Sequence, residues 1–330
     1  MYDTIAGMAE TSPRVSISIP VYNGVETIRA TLESALEQTY TDCEIVIVDN
    51  ASTDTTRDII REYGDPRIAL HVNPRNLGFL RNHNRSVELA RGEFIKPLHA
   101  DDRLLPSCVE RMVEVFDRHE RVGLVFAPRR IEIAGESDAD LRAWREHYAT
   151  AYQHFPGLGP VNDGPTLLAH ALRADLVDNW VGEPSCLMYR RSAVERVGLY
   201  SPNVHAFNDF DMSVRLMSLF DVGFIDEELT IYRRSHGSII DALKVNAWLD
   251  RLWVLEGLAA DPEVRQRNPE VMPALRRAQV EVARMALRTA RRRPELLARR
   301  MNDLRRYAGY RARRAARLDP QLVPVLPPAA

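Results

Sequence analysis

The sequence predicts an α/β protein built around a mostly parallel sheet, and three patterns carry that expectation. Short apolar strands alternate with helix-patterned stretches through residues 15–126, polar residues gather just after the strands, and from residue 246 onward the chain reads as helix alone. The fold class is therefore a sheet flanked by helices, followed by an all-helical C-terminal extension.

Each element has its own signal. Residues 15–20 (VSISIP) read as a buried strand, and Val25, Ile28, Leu32, Ala35 and Leu36 then recur at helical spacing. Residues 44–48 (EIVIV) repeat the strand, and residues 55–63 the helix, with Ser52 or Asp54 as its cap and Gly64 as its stop. A third strand over 68–72, a third helix over 79–90 and a fourth strand over 94–98 continue the alternation, which implies parallel pairing. Val109, Met112, Val113 and Phe116 share one helical face within 106–119, and 122–126 is a further strand. Residues 134–166, with FPGLGPVNDGP, read as a long loop or lid. Beyond it lie strands near 185–189, 222–225 and 229–232, a helix over about 209–219, and then helices interrupted at Pro262, Pro269, Pro273 and Pro294.

With 330 residues, 45% of them hydrophobic, the chain can bury a substantial core as one large domain or two modest ones. It opens without a basic stretch and apolar run, and no segment approaches the ~20 uncharged apolar residues that cross a bilayer. A cytoplasmic protein is expected. Cys43, Cys108 and Cys186 are too few and too scattered for a disulfide framework or a zinc site, so buried free thiols are expected. The net charge of -2 conceals an asymmetry: residues 241–330 carry 19 basic and 10 acidic side chains, residues 1–240 carry 25 and 36. The two parts have different tasks.

In an open parallel sheet, ligands bind beyond the carboxyl ends of the strands. There the first strand ends in Pro20, Tyr22 and Asn23, the second in Asp49 and Asn50, and the fourth in His99, Asp101 and Asp102. Taken one at a time, the Asp49/Asn50 and Asp101/Asp102 pairs could each be a turn or a helix cap. Together at one rim, a ring, a base-reading pair and an acidic pair describe a nucleotide site with a metal. A diphosphate concentrates negative charge, and a hard divalent cation on carboxylates is the usual way to neutralise it. No GxxxxGK[ST] follows a strand and no GxGxxG opens a helix, which removes the P-loop and dinucleotide readings.

These residues resemble the family 2 glycosyltransferases of the GT-A fold. The resemblance begins with VSISIPVYNGVETIRATLESALEQTYTDCEIVIVDNASTDTT, continues through NLGFLRNHNRSVELARGEFIKPLHADD, and spans residues 14 to about 126, with a second stretch over roughly 182–238. It implies a catalytic domain (14–240, divided at 126 into nucleotide-binding and acceptor-binding halves), which leaves an N-terminal arm (1–13) and, from its own pattern, a C-terminal helical region (241–330). It also implies that Pro20 and Tyr22 line the base pocket beside Asp49 and Asn50. Asn50 stands where the family usually has a second acid; its amide could accept from N3–H and donate to O4 of uracil or thymine, which ranks UDP first, dTDP next and GDP lower. Arg81 matches a basic position near the nucleotide and is otherwise a solvated helix charge.

By the same resemblance Asp101 is expected on the ribose and Asp102 on Mn²⁺ or Mg²⁺, while His99 replaces a preceding family aspartate. FNDFDMSVRL (207–216) resembles the segment holding the general base, which makes Asp209 the base, with Asn208 in place of the usual Glu. Asp211 and Arg215, four apart, read as a structural ion pair. His236 in IYRRSHGS matches a histidine that reaches the metal or diphosphate, with Arg233 and Arg234 near phosphate or in solvent. Glu183, in GEPSCLMYRR, and His99 are candidates for sugar or acceptor contact.

One base candidate and no enzyme nucleophile favour single displacement with inversion, from a nucleotide diphosphate sugar to a hydroxyl of a glycan, lipid-linked or small-molecule acceptor. A nucleotidyltransferase is the rival, but it calls for a basic glycine-rich loop where this chain has PVYNG. A sugar-binding or scaffolding module is the other, and the retained metal aspartates speak against it. The resemblance does not extend to the arginine-rich tail. Its apolar stripes suit packing on the core or on a second copy in a homodimer, and its basic surface suits an anionic membrane face. Few aromatics and an acidic front disfavour nucleic acid.

Overall fold

The computed structural model describes residues 12–135, 139–155, 157–174, 176, 179–205, 207–234, 247–292 and 294–315. The alternation read from the sequence is present as β1 (Val15–Val21), α1 (Ile28–Leu36), β2 (Cys43–Asp49), α2 (Thr56–Arg61), β3 (Ile68–Val72), α3 (Phe79–Glu88) and β4 (Phe94–Pro97). Then come β5 (Arg103–Leu104), α4 (Cys108–Arg118), β6 (Val122–Phe126), β7 (Arg129–Ile133), α5 (Ala139–Ala149), β8 (Val161–Asn162) and α6 (Gly164–Arg173). β9 (Leu187–Arg190), α7 (Arg191–Val197), α8 (Asn208–Met217), β10 (Asp221–Phe224) and β11 (Thr230–Arg234) complete the sheet region, and α9 (Ala247–Ala260), α10 (Pro262–Arg267), α11 (Val271–Arg292) and α12 (Pro294–Ala315) follow.

An eight-stranded sheet runs in the order β3-β2-β1-β4-β9-β6-β10-β8. β1 pairs in parallel with both β2 and β4, and β9 runs antiparallel between β4 and β6, joining the two halves. Every residue of β1 is buried because both faces of the sheet are covered. Val15, Ile17 and Ile19 pack with Ile28, Leu32 and Ala35 of α1 and with Val109, Met112 and Phe116 of α4. On the other face Ser18 meets Ser86 of α3 at 2.7 Å, and Ser16 meets Glu44 at 2.6 Å, so the polar alternation of VSISI is satisfied by hydrogen bonds. A small second sheet, β5-β11-β7, lies beyond the C-terminal end of β4.

Residues 134–166 differ from the long loop expected there. They contain α5, a short 3₁₀ turn (Ala151–His154) and β8. The charged composition of α5 hides it, since tertiary contact rather than an apolar stripe holds it: Trp144 lies 6.0 Å from Tyr232 and under Arg234 at 5.0 Å. α6 begins where Asp163 accepts from the Thr166 amide at 2.9 Å with a proline in the first turn, a helix start legible in NDGPT.

The prolines of the C-terminal region start helices more often than they stop them. Pro262 and Pro294 open α10 and α12, and Pro273 sits in the first turn of α11, where its missing N–H breaks no helical bond. Leu252, Trp253 and Leu255 of α9, Val271 and Leu275 of α11 and Tyr310 of α12 belong to the same apolar cluster as Leu168, Leu216 and Met217. Arg196 binds Asp261 and Glu263 at 2.8 Å each, and the Asn268 amide caps Ser218 O at 3.0 Å. Among the described residues no helix is long and apolar enough to cross a membrane.

Candidate active site

The loops after β1 and β2 are tied to each other. The Asn23 and Gly24 amides donate to Ser52 Oγ (2.9 Å) and Thr56 Oγ1 (2.8 Å), and Asn23 Oδ1 accepts from the Thr53 amide at 2.8 Å. Asn23 and Ala51 adopt φ of 49° and 61°, the left-handed region that non-glycine residues avoid, so the loops are held there at some cost. Tyr22 projects from this rim with 47% of its surface exposed. Pro20 is buried within β1.

Asp49 is fully buried; its Oδ1 accepts from the Ser52 amide at 3.0 Å, while Oδ2 is a buried atom without a partner among the described residues. Asn50 differs. Its Oδ1 accepts from Asn73 (3.0 Å) and the Leu77 amide (2.8 Å), and its Nδ2 donates to Asn76 at 2.9 Å. Both ends of its amide are thus engaged by the loop after β3, and the side chain holds that loop in place. Arg57, which the sequence did not single out, comes within 3.9 Å of Asp49. Arg81 is exposed on α3.

At the end of β4 the chain turns through His99, Asp101 and Asp102, whose ligand atoms all lie within 4.8 Å of one another. Asp101 is exposed and Asp102 is fully buried. Asp102 Oδ2 accepts from Ser185 Oγ at 2.5 Å and its Oδ1 from the Arg233 amide at 2.9 Å, so β11 and the segment before β9 meet on one carboxylate. Burial and the charge of Asp101 push the Asp102 carboxyl well above its ordinary range, despite those two donors. Each oxygen keeps a lone pair, and two like-charged carboxyls beside an imidazole form a donor set that a divalent cation fits and relieves.

Ser185 is itself held by Lys96, a lysine buried in the middle of β4. Its ammonium donates to Ser185 O, to Leu187 O at 3.1 Å and to Pro97 O at 3.3 Å. Just upstream, Gly182 takes φ 91°, and a Cβ there would meet Cys186 Sγ at 2.9 Å. That turn delivers Glu183, which is bound by the buried Arg129 of β7 at 2.6 Å (Nε to Oε2) and 3.0 Å (NH2 to Oε1).

Asp209 stands in the first turn of α8. Its Oδ1 accepts from the Phe210 amide at 2.8 Å and its Oδ2 faces Asn179 Nδ2 at 3.4 Å. Burial and the negative charge of Glu183 push its carboxyl up to about 7, with the Phe210 amide and Arg129 acting the other way. Glu183 acts electrostatically on Asp102, His99 and Tyr232 as well, so the acidic cluster of β4 and the start of α8 share one charged centre. Asp211 and Arg215 form the expected ion pair at 2.9 Å, and Arg215 also donates to Val197 O, Gly198 O and Leu199 O. His236 lies outside the described residues. Arg129, Asn179, Ser185 and Lys96 went unread in the sequence, since nothing local marks a residue whose partners lie far away in the chain.

The model of glycosyl transferase family 2 matches residues 16–198. MT1568, a Mycobacterium tuberculosis protein described as uncharacterized, is 34% identical over 78% of this chain and 80% of its own. The Escherichia coli UDP-Glc:alpha-D-GlcNAc-diphosphoundecaprenol beta-1,3-glucosyltransferase WfaP is 38% identical over 36% of this chain and 47% of its own. Among solved structures, S. aureus TarS 1–349 in complex with UDP-GlcNAc superposes with a TM-score of 0.61 at 14% identity, covering 79% of this chain and 72% of that one. That likeness speaks to the fold, and the family match spans more than half of the sequence. The chain therefore belongs to glycosyl transferase family 2, as a nucleotide-sugar glycosyltransferase of the GT-A fold.

Proposed function

We propose that the protein is an inverting glycosyltransferase that takes its sugar from a UDP sugar, or next from a dTDP sugar, with Asp209 as general base. The observation that carries this reading is Asp209 itself: a carboxylate in the first turn of a helix, held by an amide on each oxygen, with a proton affinity near neutral pH. The acceptor hydroxyl attacks C1, the bond from C1 to the diphosphate oxygen breaks, Asp209 takes the hydroxyl proton, and the nucleoside diphosphate leaves.

Tyr22 offers a ring face to the base, and the partnerless Oδ2 of Asp49 is the better acceptor for a pyrimidine N3–H than the engaged amide of Asn50. Asp101 is assigned to the ribose and Asp102 to a divalent cation, Mn²⁺ or Mg²⁺, with His236 as a further ligand. When bound, the cation supplies charge neutralisation to the leaving diphosphate. Asn179 and the Arg129–Glu183 pair orient the base and set its charge environment.

WfaP acts, by its name, on a diphosphoundecaprenol-linked sugar, and a lipid-linked acceptor is the class we favour here. The outer face of α11, with Val280 and Leu287 exposed among arginines, supports contact with a membrane surface. A panel of UDP, dTDP and GDP sugars, scored for metal-dependent release of nucleoside diphosphate and for thermal shift, tests the donor. UDP sugars should be hydrolysed and UDP should stabilise the fold only with the cation present. Pyrophosphate release instead would mark a nucleotidyltransferase.

A further inference from the structure

His99 stands beside Asp101 and Asp102 at the end of β4, and its surroundings give it a chemical consequence. Its Nδ1 lies 3.8 Å from Asp102 Oδ2. Neither ring nitrogen has a hydrogen bond among the described residues, and Nε2 is a buried atom without a partner. The backbone fixes where the ring stands, because Ser185 Oγ accepts from the His99 amide at 3.0 Å while donating to Asp102 Oδ2 at 2.5 Å. One hydroxyl thus fastens the histidine and the carboxylate to each other. The ring is further seated edge-to-face against His83, with centroids 5.0 Å apart at 84°, and against Phe79 at 6.2 Å.

A largely buried imidazole, positioned this firmly and bonded to no described protein group, calls for a partner. The carboxylates beside it cannot serve as hydrogen-bond donors when ionised, so a cation shared among the three side chains answers the need of each. Imidazole nitrogen is a good ligand for first-row transition ions, whereas Mg²⁺ prefers oxygen and retains its waters. The geometry points to His99 as a direct ligand of the divalent cation, making the site one of imidazole and two carboxylates that selects Mn²⁺ over Mg²⁺. The inference rests on the cation reading above and narrows it: the ion is chosen by a nitrogen that an all-aspartate site lacks.

The test uses the full chain with saturating UDP and no acceptor, so that turnover plays no part. Titration calorimetry should give Mn²⁺ binding at least about tenfold tighter than Mg²⁺. His99→Ala should lower Mn²⁺ affinity at least about tenfold and leave Mg²⁺ affinity nearly unchanged, and His99→Asp should narrow the Mn²⁺ to Mg²⁺ ratio by tightening Mg²⁺. Pulsed electron paramagnetic resonance on the unsubstituted Mn²⁺ protein gives a readout that needs no variant to fold. A directly bonded nitrogen should couple to the manganese, and that coupling should persist in His236→Ala and vanish in His99→Ala. Mn²⁺ binding without nitrogen coupling, or with coupling lost only in His236→Ala, overturns the role of His99 while leaving the cation site standing. UDP binding with no cation uptake overturns both.

Discussion

The proton affinity of Asp209 gives the site its sharpest residue-level consequence. Its carboxyl is pushed up to about 7, first by burial and then by Glu183, and a general base must be ionised to act. Turnover should therefore rise as pH increases through about 7 and level off above it. Stability moves in the opposite sense. A carboxyl with a folded pKa above its unfolded value of about 3.9 binds its proton more tightly in the folded state. Its contribution is complete below about pH 4 and is lost as pH rises through about 7. Asp209→Asn should then lower turnover at least ~10²-fold at pH 8 while leaving UDP binding and melting temperature undiminished, the temperature even rising relative to the parent at that pH. A pH-independent rate, or an active Asp209→Asn protein, would remove it from the mechanism. Asp209 could be singled out in the sequence because it lies in a contiguous motif, FNDFDMS. Arg129 could not: it acts on Asp209 through space while paired with Glu183, 54 residues away, an arrangement that only the fold brings about.

Among the elements, α8 shows how Asp209 is held. Its inner face is buried around the Asp211–Arg215 pair, and Arg215 also closes the carbonyl end of α7 through three backbone oxygens. The i,i+4 spacing forecast the pair but not the carbonyls, which come from residues 197–199. Arg215→Met removes the cation and strands a buried carboxylate, which should cost about 3–5 kcal/mol by denaturant titration. A loss below about 1 kcal/mol would show that water replaces the pair. Val122–Phe126 was legible to the residue, because a continuous apolar run admits one reading when both faces of a sheet are covered, and Ile68–Val72 was as legible although it is the half-buried edge strand. The β5-β11-β7 sheet was harder. β5 has two residues and β7 is RRIEI, so neither carries a hydrophobic period long enough to register, although together they bring the Arg233 amide onto Asp102. The partners of Asn50 were hidden for a related reason. Its amide is an excellent base reader in isolation, but the neighbouring loop, with Asn73 and Asn76, uses it first.

At the scale of the whole molecule, the charge asymmetry becomes a surface. The inner face of α11, with Val271, Ala274, Leu275 and Ala278, is buried in the cluster that also holds Leu216 and Met217. Packing on the core is thus one use of its apolar stripe. Among the described residues the opposite face has no such cover. Met272, Arg276, Val280, Ala283, Leu287 and Arg291 are all exposed and fall within about 100° of one another at 100° per residue, and no acidic side chain interrupts them. Leu287 is 63% and Val280 50% exposed, unusual for large aliphatic side chains between arginines. Apolar groups that can enter an interface, flanked by cations worth about 1 kcal/mol each at an anionic surface, suit a membrane that presents a lipid-linked acceptor. The full chain should co-sediment with phosphatidylglycerol-rich vesicles at low salt, release as salt screens the arginines, and ignore phosphatidylcholine vesicles. Leu287→Glu combined with Arg291→Glu should weaken vesicle binding at least about tenfold with hydrolysis of the donor sugar unchanged, because neither side chain lies in the site. Absence of binding at low salt would leave this face to a second copy of the chain, and a concentration-dependent dimer broken by the same double substitution would then account for its exposed leucine.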